Sequence, residues 1–243
     1  MIELRNITKS FNRNVIPNFT FDIKDERFYT IVGPNGCGKS TLLSIIAGTL
    51  EKDGGEILIS KQNSRIGYVW QDYRSSLLPW LSISENISFP LKIHGVTFKE
   101  RNEAVKRLLE YFDIDINLKM KVYDLSGGQQ QLICILRALI IEPHLVLLDE
   151  PFSALDQYMS WHAGFKLEKI WLTHKSSVLF VSHNVDEAVL LADEIILMNK
   201  QGCIDKTIMN TLPRNRTKEM MTAEEHLMCK KEIVEFLFDQ NIK

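Results

Sequence analysis

Eight consecutive residues, Gly33-Pro34-Asn35-Gly36-Cys37-Gly38-Lys39-Ser40, fill the pattern G-x-x-x-x-G-K-[ST] at every fixed position. These residue types suit one task, holding a chain of phosphates. Glycines at 33, 36 and 38 permit positive φ and close backbone approach, Lys39 supplies a point charge, and the Ser40 hydroxyl can reach Mg²⁺. The surroundings agree. Phe28-Tyr29-Thr30-Ile31-Val32 reads as a short buried strand, and Thr41 to Ala47 as an amphipathic helix. Strand, turn and helix start together aim backbone N–H groups and the positive end of a helix dipole at one anion. A nucleoside triphosphate site is the expectation, with Thr41 counted in it.

Three other groups of residues carry chemistry only in context. Leu145-Val146-Leu147-Leu148-Asp149-Glu150 is an apolar strand closing on two carboxylates. Alone, such a pair is an ordinary solvated turn. In a parallel α/β sheet, however, ligand sites lie at the carboxyl ends of strands. Asp149 would then reach the Mg²⁺ shell and Glu150 the water that attacks a γ-phosphate. Leu125-Ser126-Gly127-Gly128-Gln129 precedes a helical run from Gln130 to Ile141. Ser126 can cap that helix while Gly127 and Gly128 leave its first amides open to an anion; a plain N-cap with flexible glycines is the alternative. Two anion-binding helix starts exceed what one ATP needs from one chain, which hints at a site shared between two chains. His183 follows the strand Ser177–Val181 and Ser182; a lone His in that place is more often a satisfied structural group than a functional one.

The elements that must hold these residues follow from periodicity. Residues 1–32 alternate (Ile2, Leu4, Ile7, then Phe19, Phe21, Ile23), predicting antiparallel strands that lead into the phosphate-loop strand. Gly54-Gly55 reads as a turn before a strand at 56–59, and 66–70 as one more strand. From Ser82 to about Arg137 the pattern is helical, with Val105, Leu108, Leu109 and Phe112 at helix spacing. Continuous apolar runs at 144–148 and 177–181 read as buried parallel strands. The expected architecture is α/β, a strand-rich core interrupted by a helical insertion, with a helical pattern (Ile233, Phe236, Leu237) from 217 to 243. That tail either packs on the core or makes a regulatory or dimer contact.

Composition narrows the class. A chain of 243 residues, 45% hydrophobic and 25% charged, is an ordinary soluble globular protein. A formal net charge of −2 leaves no basic footprint, so nucleic acid is not an expected partner. No stretch approaches about 18 uninterrupted apolar residues, and the start lacks the layout of a signal peptide. Cys37, Cys134, Cys203 and Cys229 form no C-x-x-C pair and no metal-ligand spacing, which reads as reduced thiols in the cytosol.

Taken in order, Gly33–Ser40, Gln71, Leu125–Gln129, Leu147–Glu150, Ser153-Ala154-Leu155-Asp156 and Ser182-His183 resemble the ATPase subunit of an ATP-binding cassette (ABC) transporter. The similarity runs from about residue 2 to residue 216. It implies a P-loop NTPase (RecA-like) core with an N-terminal antiparallel β subdomain and an inserted helical subdomain at about 76–137, all within an ATPase domain of 1–216. It also implies ATP and Mg²⁺ as cofactors, sandwiched between two subunits, with a homodimer expected. Lys39 would contact the β- and γ-phosphates, and Ser40, Gln71 and Asp149 would complete the Mg²⁺ shell. Glu150 would be the general base, His183 would link the γ-phosphate to the attacking water, and Asp156 would sit at the dimer seam. Ser126 and Gly128 would bind the γ-phosphate of the facing chain, with Gly127 and Gln129 counted in the same nucleotide site. Phe11 falls where the family stacks an aromatic on adenine; a core phenylalanine is the other reading. His94, His144, His162, His174 and His226 match no motif and read as surface or packing residues.

Two departures stand out. Leu132 occupies a position where relatives usually carry Arg, and Ser60 to Arg65 is a shortened hairpin segment. Leu77-Leu78-Pro79-Trp80-Leu81 is an apolar group in a polar stretch; a buried loop anchor and a protein-docking surface both fit it. In the family a cytoplasmic helix of an integral membrane permease docks there. Leu78-Pro79-Trp80-Leu81, Glu85-Asn86-Ile87, Val185-Asp186-Glu187-Ala188 and Leu212-Pro213-Arg214 resemble the importer branch for nitrate, sulfonates, taurine and similar solutes. The resemblance thus implies an ATPase peripheral to the cytoplasmic face of the cell membrane, acting with a permease and indirectly with a solute-binding protein. The alternative is a non-transport ABC ATPase with a regulatory or assembly role.

Overall fold

The computed structural model describes residues 1–12, 14–60, 64–153 and 155–242, without the side chains of residues 241 and 242. Ala154 of the Ser153–Asp156 motif, and 61–63 of the shortened hairpin segment, fall outside that set.

Strands β1 (Ile2–Ser10) and β2 (Asn14–Ile23) pair antiparallel, as their alternation predicts. Strand β3 (Phe28–Val32) leads through the glycine loop into α1 (Lys39–Ile46). Strand β4 (Gly54–Ile59) returns along the other edge of β1 and completes a three-stranded sheet in the order β2-β1-β4. Gly54-Gly55 is therefore part of a strand and not the expected turn. The β1–β4 register slips between Arg5 and Thr8, and Gly55, at φ 85°, lies where a Cβ would come within 2.3 Å of the Asn6 carbonyl. Glycine here accommodates an irregular pairing, which in sequence looks the same as a turn.

Strand β5 (Ile66–Val69) is followed by α2 (Tyr73–Ser76), α3 (Ile83–Ile93), α4 (Phe98–Tyr111) and α5 (Gly127–Leu139). Helices α3 and α4 start at reciprocal caps, Ser82 with Glu85 and Thr97 with Glu100, which satisfy amides otherwise left without partners. Then come β6 (Leu145–Asp149), α6 (Gln157–His174), β7 (Ser177–Val181), α7 (Val185–Leu191), β8 (Glu194–Met198), β9 (Ile204–Met209) and α8 (Glu224–Ile242). The second sheet runs β5-β6-β7-β3-β8-β9, parallel throughout except for the antiparallel edge strand β9.

Helices α3 to α6 cover one face of the parallel sheet, and α1 with the small sheet covers the other, so its central strands are buried on both sides. That is why β3, β6 and β7 are uniformly buried and read as unbroken apolar runs. Their period of two sorts the residues. Phe28, Val146, Leu148, Val178 and Phe180 pack with α3 to α6, whereas Tyr29, Ile31, Leu145, Leu147, Leu179 and Val181 pack with α1 and the antiparallel sheet. A third cluster, Val32, Ile195, Leu197, Cys229 and Ile233, seats α7 and α8 on β8 and β9. The tail thus packs on the core, with Ile233 fully buried. Strand β3 lies at the centre, flanked by β7 and β8, and delivers the phosphate loop at its carboxyl end.

Candidate functional site

The phosphate loop begins where β3 ends. Gly33 does not need positive φ, contrary to expectation; it needs the absence of a side chain, since a Cβ would come within 2.3 Å of the Met198 carbonyl. Gly38 needs both. It caps α1 in the left-handed region at φ 108°, with Val15 about to touch any Cβ. Lys39 is buried, and its Nζ donates to the Gly33 carbonyl at 2.8 Å and the Pro34 carbonyl at 3.0 Å. The ammonium is thereby folded over the loop its charge serves. The Cys37 thiol is also buried, which pushes its pKa up despite the Lys39 charge.

Phe11, Val15, Asn35, Gly36, Gly38, Lys39, Ser40, Thr41, Gln71 and Glu150 line one cleft of about 390 Å³. Phe11 is 58% exposed, so it is no core residue. Its platform is fixed from a distance. Asp53 accepts from Lys9 Nζ at 2.8 Å and from the Ser10 amide at 2.7 Å, and that Nζ lies 5.4 Å from the Phe11 ring centroid. Nothing in the sequence near Phe11 announces Asp53, because the contact joins the ends of β1 and the β4 hairpin.

At the other end of the cleft stand the strand-end carboxylates. Ser40 Oγ donates to Asp149 Oδ1 at 3.0 Å. Asp149 is buried, which raises its pKa; the Ser40 hydrogen bond opposes the rise and the neighbouring Glu150 adds to it. Glu150 has φ 46°, a left-handed conformation that turns the chain sharply after β6. Two residues converge on its Oε2: Gln71 Nε2 donates at 3.1 Å and His183 Nδ1 lies at 3.1 Å. Gln71, Glu150 and His183 come from the ends of three adjacent parallel strands, β5, β6 and β7. The sheet order explains a meeting that sequence spacing alone does not.

The donor set fits Mg²⁺. A buried carboxylate whose burial disfavours its charge stands beside a hydroxyl and a side-chain amide. Among the described residues, no group of three or more His, Cys, Asp or Glu makes a protein-only cage. Mg²⁺ prefers such sites, with one or two carboxylates and phosphate oxygens completing the shell.

Ser126, Gly127, Gly128, Gln129 and Asp156 are not brought to this cleft. Helix α5 starts at Gly127, three residues earlier than its periodicity suggests, with Ser126 as N-cap. The Ser126 amide donates to Gln129 Oε1 at 3.0 Å and the Gln129 amide to Ser126 Oγ at 3.4 Å. Glycines weaken the helical signal, which is why the start reads late. Ser126, Gly128 and Gln129 line a separate, mostly apolar cleft with Leu132, Leu155 and Met159. Asp156 caps α6, accepting from the Met159 amide at 3.0 Å. Of the histidines outside the motifs, His226 is buried against Asp186, which also pairs with Lys230.

Trp80 is 69% exposed while Leu77 is buried, so both readings of the 77–81 group hold in part. Asn86, fully buried on α3, braces the loop. Its Oδ1 accepts from the Leu78 amide at 2.9 Å, and its Nδ2 donates to the Leu78 carbonyl at 3.0 Å and the Ser82 carbonyl at 3.1 Å. No helix among the described residues is long and apolar enough to cross a membrane.

Comparison with known proteins agrees with this geometry. The family model described as "ABC transporter" matches residues 16–153. An aliphatic sulfonates import ATP-binding protein, SsuB, from Bacillus cereus is 37% identical over 235 residues, covering 92% of each chain. An uncharacterized ABC transporter ATP-binding protein from Methanocaldococcus jannaschii is 34% identical, covering 100% of this chain and 93% of its own. Among solved structures, a dimeric ABC transporter cassette and its post-hydrolysis state bound to ADP and Pi each superpose with a TM-score of 0.74. Each shares 28% identity and covers 86% of this chain and 98% of the other.

Proposed function

The chain belongs to the ABC transporter family as an ATP-binding, ATP-hydrolysing subunit, and from that premise we propose that two copies close on two ATP molecules and power uptake of a small solute. One observation carries the catalytic part: Gln71 and His183 converge on the same oxygen of Glu150, at the mouth of the phosphate-loop cleft. A carboxylate held this way is oriented to accept a proton from water, and phosphoryl transfer needs little beyond such positioning and charge neutralisation.

The roles follow from placement. Phe11 stacks on adenine. Gly33 to Thr41 cradle the phosphates, with Lys39 releasing its loop carbonyls for the β- and γ-oxygens. Ser40, Gln71 and Asp149 hold Mg²⁺, which when bound neutralises phosphate charge. Glu150 orients and deprotonates the attacking water, and His183 ties it to the γ-phosphate. Ser126, Gly128 and Gln129 lie on a different cleft of the same chain; together with Gly127 they serve the ATP of the partner copy, with Asp156 at the seam. That separation supports a shared site, since one chain leaves its own phosphate loop open on one side.

For partners, the exposed Trp80 loop braced by Asn86 is the docking surface for an integral membrane permease at the cytoplasmic face, with a solute-binding protein acting upstream. The helical subdomain at about 76–137 presents that loop, within an ATPase domain of 1–216. The relatives named for aliphatic sulfonate import support a solute of the sulfonate, nitrate or taurine kind. Glu150→Gln tests the centre of this reading. ATP binding persists, turnover falls at least a hundredfold, and ATP then holds a stable dimer. Wild-type turnover in that variant sinks the role of Glu150. Co-purification with a multi-spanning membrane protein, and sulfonate uptake by the reconstituted complex, test the transport part.

A further inference from the structure

A second buried carboxylate lies behind His183 and takes no part in the roles above. Glu187, on α7, is 6% exposed. Its Oε2 accepts from Ser182 Oγ at 2.6 Å, and its Oε1 accepts from Ser160 Oγ at 2.5 Å and Asn184 Nδ2 at 3.4 Å. The Asn184 amide in turn donates to Ser182 Oγ at 3.0 Å. The residues on both sides of His183 are thus tied to one carboxylate. The third tie crosses to α6, whose first turn is capped by Asp156.

The seam between α6 and α7 is close. One helical turn beyond Ser160, a Cβ on Gly164 would come within 3.1 Å of Leu190 Cδ2. Apolar packing alone would hold such a seam at lower cost. A carboxylate with two hydroxyls and an amide as hydrogen-bond partners carries a desolvation penalty that leucine would avoid. What the carboxylate adds is direction: charge-assisted hydrogen bonds fix a turn more tightly than contact does.

We propose that Glu187 is a positioning residue for His183, locking the 182–184 turn to Ser160 so that the seat of α6 sets where His183 meets Glu150. The inference rests on the roles of His183 and Asp156 given above. Helix α6 begins at the residue assigned to the dimer seam. A partner that shifts that helix start therefore acts on His183 through Ser160 and Glu187, and closure of the dimer is coupled to the orientation of the catalytic carboxylate.

Kinetics of full-length Ser160→Ala, Glu187→Ala, His183→Ala and the Ser160→Ala/His183→Ala double variant test this. Ser160→Ala lowers kcat about tenfold, inside the roughly hundredfold that a misplacement of about 1 Å can cost. Its KM for ATP stays within about twofold of wild type, as expected when the ground-state complex is untouched. In the His183→Ala background the same substitution lowers kcat no further. Glu187→Ala falls at least as far as Ser160→Ala; if it does not fold, Ser160→Ala decides alone. Should His183→Ala be too slow for the cycle, the ring carbon–proton NMR signal of His183 replaces it, and this signal shifts in Ser160→Ala. A Ser160→Ala enzyme with unchanged kcat, a further loss in the double variant, or an unmoved His183 signal overturns the proposal. Unchanged kcat in His183→Ala would instead overturn the role of His183.

Discussion

Asp149 sets folding against function at a single carboxyl group. Burial raises its pKa, so the charged form that a metal needs is the form the folded apo protein disfavours. For a group whose folded pKa is raised, the stability it contributes is complete below its unfolded pKa and is lost as pH rises through the folded one. At neutral pH the ionised group is therefore a cost. Asp149→Asn should raise Tm at pH 7, with the gain shrinking as pH falls through the carboxylate range. The same variant should lose Mg²⁺-dependent ATPase activity; scanning calorimetry across pH beside an activity assay checks both. Phe11 makes a simpler case. A stack worth about 0.5–1.5 kcal/mol predicts that Phe11→Ala raises KM for ATP roughly twofold to tenfold with kcat unchanged. Binding of inorganic tripolyphosphate, which has no base to stack, should not respond. The phosphate loop and the Asp149-Glu150 pair were legible because their chemistry is packed into consecutive residues. The platform under Phe11 was not, since Asp53 reaches it only through folding.

Among the elements, the 77–81 loop shows what a local pattern reveals and what it hides. Its apolar wording stands out in a polar stretch, and Trp80 is exposed as a docking residue must be. The sequence does not disclose that Asn86, a polar residue inside a helical pattern, holds that loop in shape. Asn86→Ala leaves the Leu78 amide without a partner, at about 1–3 kcal/mol if it stays dry, while the Leu78 and Ser82 carbonyls still accept from the Leu81 and Asn86 backbone amides. The expected result is near-normal ATPase activity of the isolated subunit but a several-fold loss of stimulation by the permease; equal losses in both would place Asn86 in the ATP site instead. Helix α5 and strand β4 show why boundaries are harder to read than elements. In both, paired glycines lie inside the element, once in the first turn of a helix capped by Ser126 and once to accommodate a bulge. Composition alone marks both as breaks.

At the scale of the whole molecule, the separation of the phosphate-loop cleft from the Ser126 cleft predicts complementation between damaged copies. Lys39→Ala removes a phosphate-loop charge, and Gly128→Asp sets a like charge against the phosphate of the facing chain. Each variant alone should be inactive. An equimolar mixture should recover about a quarter of wild-type activity, because half the dimers are mixed and each carries one intact site. A mixture as inactive as its parts would rule out a site shared across the dimer. Sheet order has a separate consequence. Strand β3 is hydrogen-bonded on one side to β7 and on the other to β8, so the loop that follows it is held by residues 177–198. The loop, ending at Ser40, is synthesised well before its two flanking strands. A nascent chain therefore carries the full Gly33–Ser40 sequence long before it can hold ATP. Nucleotide capture should appear abruptly, once β8 has emerged from the exit tunnel, so ATP binding reports that β3 has gained both of its neighbours.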